Sequence, residues 1–227
     1  MRLSDFLLTL VRKSVIKALR KPKPSNSLKE KILKVQIIKE SGYDEALFGT
    51  GLSFGLTSDF QNVCEFKKTK VVNGTYSRMQ NVCQKLAPKD GGHNKFLEMI
   101  TVWLDIDAPR FYWSEFDTYR CGITKLSEST IHTVTKRHLT VDDFEAGVID
   151  LDYLAKINSV IDTGSMYLVK QMLPESFLQR RIVCTNYKTL KNMYFQRRNH
   201  RLPEWHIFCD ALRDNLEHFE LISEEEA

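Results

Sequence analysis

The alternation of apolar and polar positions along the chain predicts an α+β fold. Residues 100–106 alternate strictly, which is the period of a strand with one buried face. Residues 35–38 form a shorter apolar segment that predicts a second strand. Elsewhere apolar residues recur every three or four positions, as they do on the buried face of a helix. We therefore expect a small mixed sheet packed with several helices.

The helical spacing falls in eight segments, separated by glycine, proline and polar residues. Pro109 is suited to the first position of one of them, because proline lacks the N–H that a helix start leaves unpaired. Residues 67–76 lack a helical period and are predicted to be irregular or a hairpin. The predicted helices are 43–48, 78–86, 110–119, 144–148, 153–162, 166–173, 187–198 and 205–219.

The N-terminal segment 1–20 differs from the rest of the chain, because its apolar residues at helical spacing are interspersed with lysine and arginine. The linker 21–27 follows, with two prolines that end a helix. This pattern divides the chain into an amphipathic helical arm, 1–27, and a domain, 28–227. The arm suits docking on the domain or on another subunit, and a membrane-surface or nucleic-acid role stays open. Its charges interrupt the apolar run too often for a secretory signal.

Composition narrows the function classes only moderately. The chain has 227 residues, 42% hydrophobic and 27% charged, with a net charge of +4, which permits an anionic partner without requiring one. No apolar run approaches the roughly 18–20 residues that span a bilayer. The five cysteines form no Cys-x-x-Cys pair, so we expect neither a structural zinc site nor a disulfide framework. We expect the protein to be in a reducing, cytoplasmic setting. The cysteines are Cys64, Cys83, Cys121, Cys184 and Cys209.

One predicted helix carries a line of ligand-binding side chains. Asn186 and Arg197 are 11 positions apart, almost three turns, so they are predicted to share one face about 16 Å apart. Lys188 and Asn192 form an i, i+4 pair on the same helix. Amides suit a base or a flavin edge, and arginine suits phosphate. The alternative is an ordinary solvated basic face, with the intervening apolar residues in the core.

Several further segments precede this helix in a distinctive order. Gly92-His93 comes before Phe96 and Glu98, and the predicted strand then leads to Thr118-Tyr119-Arg120. Next come Ser127-Glu128-Ser129-Thr130-Ile131-His132, Leu173-Pro174 and Asn186-Tyr187-Lys188-Thr189-Leu190. In order and spacing, over roughly residues 35–219, these segments resemble the flavin-dependent thymidylate synthases, also called thymidylate synthase complementing proteins.

The resemblance implies one-carbon transfer to C5 of dUMP or a related pyrimidine deoxynucleotide, in a homotetramer. FAD, methylenetetrahydrofolate and NADPH would carry the chemistry, and no metal is expected. By position, the implied flavin residues are Ser53, His93, Glu98, Tyr119, Asn186, Lys188 and Asn192. The implied substrate residues are Glu115, Thr130, His132, Lys170 and Arg197. Arg120, Glu128 and Arg197 are the implied catalytic residues, with Arg120 polarising the base and Arg197 also contacting the phosphate.

The chain departs from the family where the family places its Arg-His-Arg motif. Only Arg120 matches, since Thr118 and Tyr119 occupy the other two positions, and the loss of two cations weakens attraction for a flavin diphosphate. His132 takes the place of an arginine. Glu115 takes the place of an amide, which suggests that its carboxylate accepts a hydrogen bond from a cytosine amino group instead.

Three function classes remain open at this point. The first is a pyrimidine C5-modifying enzyme, and the second is a nucleotide-binding or assembly protein on the same fold without flavin chemistry. The third is a nucleic-acid-interacting protein that uses the arm and the basic residues 197–201. The residues also have simpler roles open to them. Glu98 suits a salt bridge, His93 a loop, and Cys121 lacks a neighbouring base in sequence that would make it a nucleophile.

Overall fold

The computed structural model describes residues 33–68, 74–145 and 149–223. The predicted arm, 1–27, lies outside these residues. Four strands form one sheet in the order β1-β2-β4-β3, and every neighbouring pair is antiparallel. The strands are β1 (Lys34–Ser41), β2 (Thr101–Pro109), β3 (Thr124–Ser127) and β4 (Leu178–Asn186). The predicted α+β class, a small sheet packed with several helices, is confirmed.

Ten α-helices occur among the described residues. The first five are α1 (Tyr43–Ser53), α2 (Val63–Lys68), α3 (Thr75–Leu86), α4 (Arg110–Phe116) and α5 (Thr130–Thr133). The others are α6 (Leu151–Asp162), α7 (Met166–Met172), α8 (Tyr187–Arg197), α9 (Pro203–Asn215) and α10 (Glu220–Ser223). Two short 3₁₀ helices, Lys95–Glu98 and Val141–Asp143, complete the elements.

The two faces of the sheet have different surroundings, as the alternation in β2 predicts. Val102, Leu104 and Ile106 are fully buried against helices. The opposite face carries Trp103, which is 41% exposed, and Leu126 of β3, which is 72% exposed. Within the described ranges, the second face therefore carries large apolar side chains that are exposed.

Not every predicted element is correct. Five predicted strands and helices overlap observed elements of the same type: 35–38, 43–48, 100–106, 153–162 and 187–198. The helix at 144–148 is wrong at its start, because Phe144 forms an isolated β-bridge with Phe177, and residues 146–148 lie outside the described part. The helix at 205–219 is interrupted after Asn215, and the helix at 110–119 ends at Phe116. The irregular segment 67–76 is partly helical, because α2 ends at Lys68 and α3 begins at Thr75.

Two apolar clusters stabilise the fold. The larger one joins the buried sheet face to α1, α3, α4, α8 and α9 and includes the stacked aromatic rings of Phe116 and Trp205, with centroids 6.0 Å apart. The smaller one is formed by residues 134–177 and includes Ile157 and Val169. Phe144 and Phe177 of the smaller cluster pack edge to face beside the sheet. The segment 134–177 thus has an apolar core of its own.

A pair of carboxylates connects the segment that holds the smaller cluster to the start of α9. Glu204 is only 2% exposed, and its Oε2 has no hydrogen-bond partner among the described residues. Glu145 lies against it, and burial together with the hydrogen bond to Glu204 raises the pKa of Glu145 to about 7. The proton that Glu145 keeps relieves the repulsion between the two carboxyl groups.

This pair makes stability depend on pH in a definite direction. The raised pKa of Glu145 means that the folded protein keeps a proton that the unfolded chain loses above its ordinary pKa of 4.5. The free energy of unfolding should therefore fall as pH rises from 4.5 to about 7, by about 1 kcal/mol after solvent screening. Glu145→Gln should remove this dependence, measured by urea unfolding across the pH range. The exposed Glu175→Gln is the control, and an unchanged pH profile in the Glu145 variant would contradict the prediction.

Candidate functional site

A cavity of about 700 Å³ lies where β4 ends and α8 begins. Its walls come from three parts of the chain: residues 90–98, the loop after α4, and α8 from its cap to Phe195. The lining residues are Asp90, Asn94, Glu98, Thr118, Tyr119, Arg120, Cys121, Gly122, Asn186, Lys188, Thr189, Lys191, Asn192 and Phe195. We call this the main pocket.

The start of α8 fixes one wall of the main pocket. Asn186 caps the helix, because its Oδ1 accepts a hydrogen bond from the backbone N–H of Thr189 at 2.9 Å. The Thr189 hydroxyl donates to the backbone oxygen of Cys121 at 3.2 Å, and Thr185 donates to that of Gly122 at 2.9 Å. The loop after α4 is therefore held against the helix start.

The cations of the main pocket are unequal in their availability. Lys188 pairs with Glu98 at 2.9 Å, and the buried Lys191 donates to the backbone oxygen of Ala87 at 2.6 Å. The exposed Arg120 side chain has no ion-pair or hydrogen-bond partner in the described part of the chain. Arg120 is thus the cation that can meet an anionic ligand without giving up an internal contact.

Arg197 is held inside the protein behind the main pocket. Its Nη1 donates to Glu115 Oε2 at 2.9 Å, and its Nε donates to the Tyr119 hydroxyl at 2.8 Å. The guanidinium carbon lies 4.5 Å from the ring centre of Trp205, whose Nε1 also donates to Glu115 Oε2 at 2.8 Å. His200 Nε2 lies 3.6 Å from the same oxygen. The Glu115 carboxylate and the Arg197 guanidinium therefore compensate each other.

A second, more polar cavity of about 310 Å³ lies at the opposite end of β4. It contains Lys170 and Thr130 together with Arg181, whose guanidinium carbon lies 4.3 Å from the Trp113 ring centre. The other lining residues are Arg110, Ser114, Asp117, Leu173, Glu175 and Gln179. Gln179 of this cavity and Asn186 of the main pocket are seven residues apart on one strand, which places their Cα atoms about 24 Å apart. The two cavities come closer together after α4, where Asp117 lines the second cavity and the next residue, Thr118, lines the main pocket.

Comparison with solved structures gives the fold a name. The flavin-dependent thymidylate synthase ThyX of Helicobacter pylori, complexed with FAD and dUMP, matches with a TM-score of 0.64 at 15% identity, over 84% of this chain and 98% of that chain. A second structure of that enzyme with FAD and dUMP matches with a TM-score of 0.64 at 16% identity, over 85% and 98%. The UMP/dUMP methylase PolB of Streptomyces cacaoi, bound with 5-Br dUMP, matches with a TM-score of 0.54 at 14% identity, over 80% and 88%.

The chain has the fold of the flavin-dependent thymidylate synthases. No protein-family model matches its sequence, and no curated protein matches it significantly. At identities this low, structural likeness establishes the architecture, and the chemistry has to be argued from the site itself.

On this thymidylate synthase fold, the residues predicted from sequence are divided among several places. Six of them line the main pocket: Glu98, Tyr119, Arg120, Asn186, Lys188 and Asn192. Thr130 and Lys170 line the second pocket. Six line neither pocket in this chain: Ser53, His93, Glu115, Glu128, His132 and Arg197. Ser53, His93, Glu128 and His132 are exposed, and Glu115 and Arg197 form the internal pair.

The predicted line of side chains on α8 follows a different course in the structure. Asn186 is the cap that precedes the helix, and Arg197 turns toward Trp205 and Tyr119. The wall of the pocket is instead formed by Lys188, Asn192 and Phe195, whose spacing of i, i+4, i+7 is that of one helix face. Of the two residues predicted to share a face, Asn186 therefore lines the pocket and Arg197 does not.

Sequence reasoning missed several lining residues. Phe195 and Lys191 were detectable, because they continue the helical spacing from Lys188. Gly122 and Asn94 gave no motif, and only the folded loop brings them to the pocket.

Three further findings concern the described residues as a whole. They contain no group of three or more His, Cys, Asp or Glu side chains arranged to hold a metal ion. None of their helices has the length and apolar character that a membrane span requires. All five cysteines lie among them and are free thiols, and Cys121 is exposed in the main pocket.

Proposed function

We propose that this chain is a flavin-dependent enzyme that modifies C5 of a pyrimidine deoxynucleotide, dUMP or a close relative, by one-carbon transfer. The observation that carries the proposal is the main pocket, which combines the unpaired Arg120 with Lys188, Asn192 and the Phe195 ring. In solved structures of the same fold, ThyX is complexed with FAD and dUMP.

The main pocket suits a flavin nucleotide in size and in the chemistry of its walls. Its volume of about 700 Å³ lies within the range of about 300–1,000 Å³ that ligand pockets occupy. Arg120 and Lys188 supply positive charge for a diphosphate, and Phe195 supplies an apolar wall for a ring. When bound, FAD with methylenetetrahydrofolate and NADPH supplies the redox and one-carbon chemistry. The chain itself orients the ligands and neutralises their charge.

The second pocket is the proposed place of the nucleotide phosphate. Lys170 is exposed and has no ion-pair partner in the described residues, so its ammonium group is available to an anion. Thr130 lies in the same pocket and offers a hydroxyl donor. His132 and Glu128 are exposed on either side of Thr130, where they can contact the nucleotide.

The two pockets would supply different parts of the proposed site. A nucleotide must touch the flavin to react with it, and the second pocket is a cavity distinct from the main pocket. We propose a homo-oligomer, a tetramer as in the resembling family, in which a neighbouring subunit places its second pocket beside the main pocket. The sheet face with the exposed Trp103 and Leu126 offers an apolar surface for such an assembly.

Titration of the purified protein with FAD, with and without dUMP, tests the proposal. We expect flavin absorbance to remain with the protein after gel filtration, at a mass above that of one chain. Arg120→Ala should weaken FAD binding about 10- to 100-fold, because a charge-assisted hydrogen bond contributes about 1.5–3 kcal/mol. Arg201→Ala removes the same charge from an exposed position outside both pockets and should leave binding unchanged.

Other outcomes favour the other function classes. Two observations favour a nucleotide-binding protein without flavin chemistry. Glu115 compensates the charge of Arg197, and Thr118 and Tyr119 stand where the family has two cations. Stabilisation by dUMP without any FAD binding would support that alternative. Binding of neither ligand, with salt-sensitive retention on DNA that Arg201→Ala weakens, would support the nucleic-acid class. Equal thermal stabilisation by dUMP and dCMP would end the hypothesis that Glu115 selects cytosine.

A further inference from the structure

We propose that Arg197 is a positioning residue that fixes the direction of the Asn192 side-chain amide. In that direction the NH₂ group of Asn192 faces the main pocket, and the pocket selects a ligand that presents a hydrogen-bond acceptor there. The ligand part of this inference rests on the proposed function, whereas the direction of the amide rests on the protein alone.

A continuous chain of hydrogen bonds connects the two residues. Arg197 Nε lies 2.8 Å from the Tyr119 hydroxyl, and that hydroxyl lies 2.9 Å from Gln196 Oε1. Gln196 Nε2 then lies 2.8 Å from Asn192 Oδ1. Tyr119 and Asn192 both line the main pocket, so the chain of bonds begins behind the pocket and ends at its wall.

The donor-only chemistry of arginine sets the first bond of this series, and the Tyr119 hydroxyl proton sets the direction of the next two. A guanidinium cannot accept a hydrogen bond, so the Tyr119 oxygen accepts from Arg197. The single hydroxyl proton of Tyr119 is then available to Gln196, whose Oε1 accepts it. This leaves the Gln196 NH₂ group directed at Asn192, whose Oδ1 accepts. The Asn192 carbonyl is thereby occupied, and the amide turns its NH₂ group toward the pocket.

Arg197, the first residue of this series of hydrogen bonds, is firmly held. Arg197 is fixed by the Glu115 carboxylate and by the Trp205 ring, and Trp205 is itself fully buried. The guanidinium carbon also lies 5.4 Å from the Tyr119 ring centre. Because Arg197 cannot reverse its role and cannot leave this position without losing the ion pair, reversal of the Asn192 amide requires Gln196 to reverse as well, which removes the acceptor of the Tyr119 hydroxyl proton.

The direction of the amide restricts the ligand. A carbonyl oxygen or an unprotonated ring nitrogen can accept from the Asn192 NH₂ group, as the pyrimidine edge of a flavin or a uracil offers. An amino group at the same place meets a second donor and leaves both unpaired, which should weaken binding about 10-fold or more. The pocket therefore favours a ligand edge with acceptors over one with amino groups at this point.

Gln196→Glu provides the decisive variant, because it replaces the NH₂ group of Gln196 by an acceptor. The new carboxylate accepts from Tyr119 and from Asn192, so the Asn192 amide is expected to turn over and present its oxygen to the pocket. FAD binding, measured by flavin fluorescence, should weaken about 10-fold or more. Gln196→Met releases the amide without reversing it and should weaken binding by a smaller factor.

Asn199→Asp is the matched control, since it makes the same amide-to-carboxylate change just beyond α8 at an exposed position. In ligand-free protein, the NMR signal of the Asn192 side-chain NH₂ should shift strongly in Gln196→Glu and stay in place in Asn199→Asp. This measurement requires no bound flavin. It separates failure of the hydrogen-bond chain from failure of the proposed function, which wild-type protein that binds no FAD would reveal.

Two results would overturn the inference. An Asn192 amide signal that does not move in Gln196→Glu would contradict the fixed direction of the amide. FAD binding that weakens equally in Gln196→Glu and Gln196→Met would contradict the proposal that the direction of the Asn192 amide selects the ligand. Loss of the hydrogen bonds between Gln196 and its neighbours would then be enough to explain the effect.

Discussion

Trp205→Ala is expected to lower the free energy of unfolding by about 3–5 kcal/mol. Trp205 is fully buried and packs against Phe116 and Phe208, with ring centroids 6.0 Å and 5.6 Å away. Alanine would leave a large cavity at the centre of the aromatic cluster. It would also remove the wall on which the Arg197 guanidinium lies and the N–H that donates to Glu115.

Urea unfolding of Trp205→Ala and Trp205→Phe separates packing from hydrogen bonding. Phenylalanine keeps most of the aromatic volume and loses the N–H, so Trp205→Phe should cost about 1–2 kcal/mol. If the two variants are equally destabilised, the Glu115 hydrogen bond dominates over packing. A loss below about 1 kcal/mol in Trp205→Ala would show that the aromatic cluster is not a main source of stability.

Gly122→Ala is expected to lower the free energy of unfolding by about 2–4 kcal/mol and to weaken ligand binding in the main pocket. Gly122 has a φ of +70°, which is costly for any residue with a Cβ atom. A Cβ there would lie 2.5 Å from the Thr189 hydroxyl oxygen and 2.7 Å from Asn186 Nδ2. The substitution would therefore strain the loop and displace the side chain that caps α8.

Gly164→Ala is the control for Gly122→Ala, because it isolates the cost of the backbone conformation. Gly164 has nearly the same φ, +73°, but nothing lies within 4 Å of its Cβ position. It should cost about 1–2 kcal/mol and leave FAD binding unchanged. Equal losses of stability in the two variants, measured by thermal unfolding, would mean that the loop moves away from α8 at little cost.

The sequence was a good guide to the site where function depends on neighbours along one helix or loop. Asn186, Lys188 and Asn192 were found because a helix repeats at a fixed period, and all three line the main pocket. Arg120 lines the pocket too, and the resemblance singled it out by its place in a segment. Their roles remain predictions.

The sequence did not predict which side chains form ion pairs with residues far away in the chain. Glu115 and Arg197 are 82 positions apart, and no local pattern indicates that they form an ion pair instead of facing a ligand. Strand β4 was missed for a related reason. Arg180 and Arg181 interrupt its apolar run. Their ion-pair partners, Asp105 and Asp117, lie far away in the sequence and come close only in the folded protein.

By itself, the sequence determined the fold class, the presence of most of the longer helices and the order of the segments that resemble a known family. These depend on periodicity and spacing, which are local properties of the chain. The tertiary structure alone decided which cations lack an internal ion pair, that Glu115 and Arg197 pair with each other, and that the predicted site residues are divided between two cavities. The physical reason is that charge compensation and hydrogen-bond direction depend on partners far apart in sequence, which only folding brings together.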